Sequence, residues 1–102
     1  MKVLHINKNN FDSVRQSKQT VLLDFYADWC GPCRTVSPVV DEIAEERDDI
    51  LVGKINVDAE QELAEVFGVM SIPTLVVLQN GEVIRRASGA RPKAAILSML
   101  ES

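Results

Sequence analysis

The chain has 102 residues, 46% of them apolar and 25% charged, with a formal net charge of −4. That size and balance fit one globular domain with a single core and exclude a disordered chain. The acidic balance and the scattering of Lys and Arg, apart from Arg85–Arg86, argue against a nucleic-acid or anionic-membrane surface, because phosphates demand clustered cations.

The opening stretch, MKVLHINKNN, reaches charged and amide residues after five positions and so lacks the apolar run of a signal peptide. Nothing in the chain approaches the ~20 apolar residues of a membrane span. The expectation is a soluble cytoplasmic protein and a single domain over residues 1–102, without internal repeat or linker. Val3, Leu4 and Ile6 predict a short first strand, and Asn9 or Asn10 can cap a helix with Phe11 and Val14 on one face. TVLLDFYA, residues 20 to 27, is a dense β-prone run too short for a helix, as expected of a strand buried on both faces.

Residues 28 to 38, DWCGPCRTVSP, hold both cysteines of the chain. Beyond them Val36, Val39, Val40, Ile43 and Ala44 form one helical stripe, with Asp41, Glu42, Glu45 and Glu46 on the solvated side. Pro38 inside that helix predicts a kink. ILVGKINV, residues 50 to 57, is the next strand. Asp58 and Gln61 resemble a capping box opening a helix through Leu63, Ala64 and Phe67, which Gly68 ends. Leu75 to Leu78 is another strand, and Asn80-Gly81 is the preferred hairpin dipeptide returning the chain through Val83 and Ile84. Pro92 fits the first turn of a last helix carrying Ile96, Leu97 and Leu100. The order β-α-β-α-β-α-β-β-α predicts an α/β fold with a mixed sheet, helices on both faces, parallel pairing first and an antiparallel edge last.

Cys30 and Cys33 admit three uses. A structural zinc site needs four ligands, and the remaining nitrogen or sulfur ligand of the usual type is His5, which leaves only a metal bridging two chains. A structural clip closing so small a loop would contribute about 2 kcal/mol and duplicate what the helix start already fixes. A redox couple gains from position. Cys30 falls where a strand hands over to a helix, and the unpaired N–H groups and positive dipole end there favour a thiolate, the species that attacks a disulfide. Cys33, one turn on, lies on the same face and can reach the Cys30 sulfur. Gly31 adds no obstruction, and Pro32 is tolerated in a first turn because its missing N–H would lack a partner. The expectation is an exposed attacker, Cys30, and a shielded resolver, Cys33.

Four other residues each admit two roles. Asp24 is either an edge carboxylate facing water or a buried carboxyl whose raised pKa makes it a proton acceptor. Lys54 is its candidate partner, though strand lysines usually snorkel to solvent. Trp29 serves either a core or a sticky surface for extended partners. Pro73 in Ile72-Pro73-Thr74 suits a strand start, and on sequence alone a trans bond is favoured.

The WCGPC run, the strand Asp, the IPT tripeptide, the NGE hairpin and Ser88-Gly89-Ala90 resemble the thioredoxin family, in that order and spacing, over essentially the whole chain. The resemblance implies a five-stranded mixed central sheet flanked by four helices, with Cys30 as nucleophile and Cys33 as resolving thiol. It implies that Asp24 takes the proton of Cys33 beside Lys54, that Pro73 is cis, and that a shallow substrate groove maps onto Trp29, Ile72, Pro73, Gly89 and Ala90. The implied activity is reduction of protein disulfides by a monomer, without a bound cofactor beyond the reversible Cys30–Cys33 disulfide and without a metal. The chain has no Gly-rich nucleotide loop, so recycling falls to a separate donor such as thioredoxin reductase. Uncharged Gly31-Pro32 points to a reductant, whereas oxidising and isomerising relatives often place His between the cysteines. The alternatives are an oxidase or isomerase of the same fold, or a non-catalytic docking subunit of a larger assembly. Tyr26, Arg34, Met70-Ser71 and Ser88 depart from common family residues, and Met70, Ser71 and Ser88 bear on partner recognition.

Overall fold

In a computed structural model describing residues 2–101, the sheet and helices assemble in the expected order. Met1 and Ser102, the ends of the expected 1–102 domain, lie outside the described residues. The strands are β1 (Val3–His5), β2 (Thr20–Tyr26), β3 (Ile50–Asn56), β4 (Thr74–Gln79) and β5 (Glu82–Ser88). The helices are α1 (Phe11–Arg15), α2 (Gly31–Glu46), α3 (Gln61–Val66) and α4 (Lys93–Leu100). The sheet order is β1-β3-β2-β4-β5, with β3 parallel to both β1 and β2, and β4 antiparallel to β2 and β5. β2 is therefore central, which is why its run of apolar residues is buried on both faces.

Alternation along the strands divides the core in two. Leu22, Val52, Leu75 and Val77 face α2 and α4 and pack with Val36, Val40, Ile43 and Ile96. Val21, Leu23, Phe25, Ile55 and Val76 face the other way, toward Phe11 and Val14 of α1, Leu63 of α3 and Phe67 at its C-terminal end. Phe67 meets Phe11 edge-on at 5.6 Å between ring centroids and lies 5.4 Å from Phe25. The Asn80-Gly81 turn has φ of +54° and +79°, the pair of positive angles that a tight hairpin between right-twisted strands requires.

Three expected local devices are not used. Asp58 does not open α3. The helix starts at Gln61 with Glu60 before it, because the Asn56 side chain already accepts from the backbone N–H groups of Asp58 and Ala59 and holds them in a turn. Asn10 precedes α1, yet its Oδ1 accepts from the Asn7 N–H rather than from a helix N–H. Pro92 sits one residue before the first turn of α4 in extended conformation. α2 runs from Gly31 to Glu46 with Pro38 inside it. Among the described residues no helix is long and apolar enough to cross a membrane.

Candidate active site

The site stands where β2 hands over to α2. Cys30 is the cap residue of α2, in extended conformation, and its Sγ accepts from the Cys33 N–H at 3.3 Å. A sulfur thus occupies the position in which an oxygen side chain usually caps a helix. Pro32 falls in the first turn, where it forfeits no hydrogen bond. Cys30 and Cys33 are joined as a disulfide, with Cα atoms 5.3 Å apart. The expected contrast between an exposed Cys30 and a shielded Cys33 is not a contrast of exposure. The residues are 4% and 3% exposed, because Ala27, Tyr26, Val57 and Ile72 pack around both. What differs is direction, since Cys30 opens onto a surface groove.

That groove encloses about 490 Å³, with Trp29, Gly31 and Pro32 on the cysteine side and Val69, Met70, Ser71 and Ile72 opposite. Trp29 and Met70 are highly exposed, an apolar rim around a mostly apolar trough. Trp29 is held by its Nε1, which donates to Asp58 Oδ2 at 2.8 Å. The Ile72–Pro73 bond is cis, against the trans reading of the bare sequence and as the family resemblance implied, and the Ile72 carbonyl oxygen lies 3.9 Å from the Cys30 Sγ. Pro73 is buried behind Ile72, and its carbonyl accepts from the Gly89 N–H at 2.8 Å. Gly89 is thereby brought to the site at φ +92°, but neither it nor Ala90 walls the groove.

On the side of the sheet that faces α2 the strand carboxyl is buried. Asp24 is 1% exposed, which decides between the edge and buried alternatives, and neither oxygen has a hydrogen-bond partner among the described residues. Burial pushes its carboxyl from 3.8 up to about 6; Lys54 pulls the other way and Asp41 adds to the rise. Lys54 is the register partner of Asp24 on β3 and is itself buried rather than snorkelling. It does not bond to Asp24. Its Nζ reaches Ser37 Oγ at 2.6 Å and Asp41 Oδ1 at 2.7 Å.

Sequence reasoning missed Asp58 on Trp29, Ser37 and Asp41 on Lys54, and the apolar floor given by Val57, Ala64 and Val69. A signal for the second was present, because Cys33, Ser37 and Asp41 are spaced by four. The third was hidden, since those three residues converge only in the folded chain. Among the described residues no group of three or more His, Cys, Asp or Glu could hold a metal ion.

A disulfide across a helix N-terminus, opening onto an apolar groove, with a buried carboxyl on the strand that leads into it, has the parts for thiol–disulfide exchange. A family model for thioredoxin matches residues 2–102. A thioredoxin of Haemophilus influenzae is 45% identical over 100 residues, covering 96% of this chain and 94% of that protein. A bifunctional thioredoxin reductase/thioredoxin of Mycobacterium leprae is 48% identical over 88 residues, 85% of this chain, which spans only 19% of that relative's length. A solved mutant thioredoxin from Halobacterium salinarum superposes with a TM-score of 0.91 at 39% identity, over 97% of this chain and 88% of that one.

Proposed function

The chain belongs to the thioredoxin family and is a thiol–disulfide oxidoreductase, and within that activity we propose that it reduces protein disulfides with Cys30 as nucleophile, Cys33 as resolving thiol and Asp24 as proton acceptor. In the reduced protein the Cys30 thiolate, favoured by the helix N-terminus, attacks one sulfur of a substrate disulfide. A Cys30–substrate bond forms, and the other substrate sulfur leaves with the electron pair. Cys33 then gives its proton to Asp24 and attacks Cys30 Sγ, and the second substrate sulfur leaves. Two electrons have passed to the substrate, and the protein is in the disulfide form described above.

The observation that supports this most is the Cys30 sulfur itself, which caps α2, bonds to Cys33 and faces the groove. Trp29 and Ile72 take an extended substrate segment beside the disulfide, with Pro73 buried behind Ile72 as their support and Gly89 and Ala90 flanking on the Pro73 side. Gly31, Pro32 and Lys54 tune the pair. The electron pair is stored in the chain's own cysteines, so the proposal includes no further cofactor. The donor is a thioredoxin reductase, a pairing found fused in the Mycobacterium leprae relative. One domain over 1–102, a monomeric state and a cytoplasmic location belong to the same proposal, and the family match over 2–102 supports the first. Uncharged Gly31-Pro32 supports the reducing direction. The test is insulin reduction with dithiothreitol as donor, followed by turbidity. Catalysis is expected from the parent chain and none from Cys30→Ser; an inert parent chain would end this reading.

A further inference from the structure

Between the resolving cysteine and the solvent, α2 carries a polar stripe. Cys33, Ser37 and Asp41 are four residues apart and so share one face of the helix. That face crosses the parallel strand pair where Asp24 and Lys54 are register partners, and residues in register on neighbouring strands project to the same side. The Lys54 ammonium has three donors, and α2 takes them: Ser37 Oγ at 2.6 Å, the Ser37 carbonyl at 3.4 Å and Asp41 Oδ1 at 2.7 Å. Asp24 is left with both oxygens buried and without a hydrogen-bond partner among the described residues. A buried carboxyl beside a buried ammonium gains most by closing into a direct pair. Here the ammonium is held elsewhere.

We propose that Ser37 and Asp41 are positioning residues that hold the Lys54 ammonium on the α2 side and so keep Asp24 free to receive the proton of Cys33. This rests on the reading of Asp24 as that acceptor. In the resolving step the Cys33 S–H bond breaks and its proton passes to Asp24. The Cys33 sulfur then forms a bond to Cys30 Sγ while the Cys30–substrate bond breaks, its electron pair leaving on the substrate sulfur. A direct Lys54–Asp24 pair would favour the ionised carboxylate and weaken its hold on that proton. The anchored ammonium acts from further off. Lys54 also lines a cavity of about 190 Å³ with His5, Tyr26 and Asn56, which admits solvent to its side of the pair.

The charged and titratable groups around Asp24 come from few elements. β3 supplies Lys54, with His5 of β1 as its register partner, and α2 supplies Asp41 and Cys33. Tyr26 is on the same strand, β4 presents Leu75, and α4 adds Ile96, Met99 and Leu100 to the shared core. The raised Asp24 carboxyl, with Lys54 pulling it down and Asp41 lifting it, agrees with an ammonium that is near without being bonded.

The experiment titrates Asp24 by carboxyl NMR in the oxidised protein, where the cysteines carry no proton. Ser37→Ala removes an anchor without removing a charge. It is expected to lower the Asp24 midpoint by about one pH unit, as a closer opposite charge does. Asp41→Ala is expected to lower it at least as far. Ser37→Thr keeps the hydroxyl and should hold the parent midpoint. In a Lys54→Met background, Ser37→Ala should move nothing. An unmoved midpoint in Ser37→Ala with Lys54 present, or an equal shift in both backgrounds, would overturn the positioning role. The acceptor role is read separately, from the resolution rate of Asp24→Asn, so the two failures are distinguishable.

Discussion

Asp24→Asn is expected to stabilise the oxidised protein, by an amount that depends on pH. The unfolded carboxyl ionises near 3.8, whereas the folded one holds its proton to about 6 because burial disfavours the charge. Between those values the native state binds the proton more tightly, so stability falls as pH rises through that window. At about 1.4 kcal/mol per unit, the rise costs about 3 kcal/mol once the pH exceeds 6. Asn, close in shape and never charged, escapes that cost. Urea unfolding of both proteins from pH 3.5 to 8 should show equal stabilities near pH 3.5, a gap opening from about pH 4 to 6, and a plateau of about 3 kcal/mol in favour of Asn. For a domain of this size that corresponds to a melting point higher by about 12 °C or more at neutral pH. A gap that is the same at pH 3.5 and pH 8 would refute the reasoning, because it would owe nothing to the carboxyl charge.

Cys33→Ser should accumulate a long-lived mixed disulfide with substrate proteins, seen as a reducible band shift, while Cys30→Ser should accumulate none; normal turnover by Cys33→Ser would remove its resolving role. Asp24→Asn should slow resolution more than attack in stopped-flow at pH 7, and equal slowing of both steps would defeat the acceptor role. Trp29→Phe removes the bond that fixes the groove rim to Asp58, so KM for a protein disulfide should rise with kcat nearly constant, and a fall in kcat at unchanged KM would count against a binding role for the rim. Gly53→Ala would put a Cβ 2.0 Å from the Ile6 Cδ1 and 2.9 Å from its Cγ1, inside a packed core. Overpacking of that kind costs about 1–3 kcal/mol, to be read as a lower urea midpoint.

The element order was legible because each segment carries its own period, as Val36, Val40, Ile43 and Ala44 do for α2. The Asn80-Gly81 hairpin was legible for a similar reason, since two adjacent residues with positive φ make a local demand that few dipeptides meet. The burial of Asp24 was not. Whether a strand residue faces water depends on the rank of its strand, and β2 is central only because β3 and β4 pair on either side of it. The same limit hid the partner of Lys54. Register puts it opposite Asp24, but the choice between that carboxylate and Asp41 is made by a helix arriving from above. Asp58 failed as a cap for a nearer reason: Asn56, two residues earlier, holds Asp58 and Ala59 in a turn ahead of the helix, and the Asp58 carboxylate accepts from Trp29 instead. The reactive pair was readable because its two requirements, a helix start and a spacing of three, are both local.

The site sets two opposite electrostatic conditions, one at the start of α2 and one on the strand that leads into it. At the N-terminus of α2, unpaired N–H groups and the dipole favour negative charge on sulfur, and the Cys33 N–H already points at Cys30 Sγ. Below it, the sheet and α2 strip water from Asp24 and disfavour negative charge on oxygen. A thiol is ordinarily a far weaker acid than a carboxylic acid, so a carboxylate accepts a proton from it only at a large cost. Raising the carboxyl toward neutrality narrows that gap from the acid side, and a group poised near the working pH transfers protons best. In the proposed mechanism, the burial that destabilises the fold above pH 6 is therefore the same burial that suits Asp24 to take the Cys33 proton. Stability gained by Asp24→Asn and resolution lost by it should come from one cause, and a variant that restores one should undo the other.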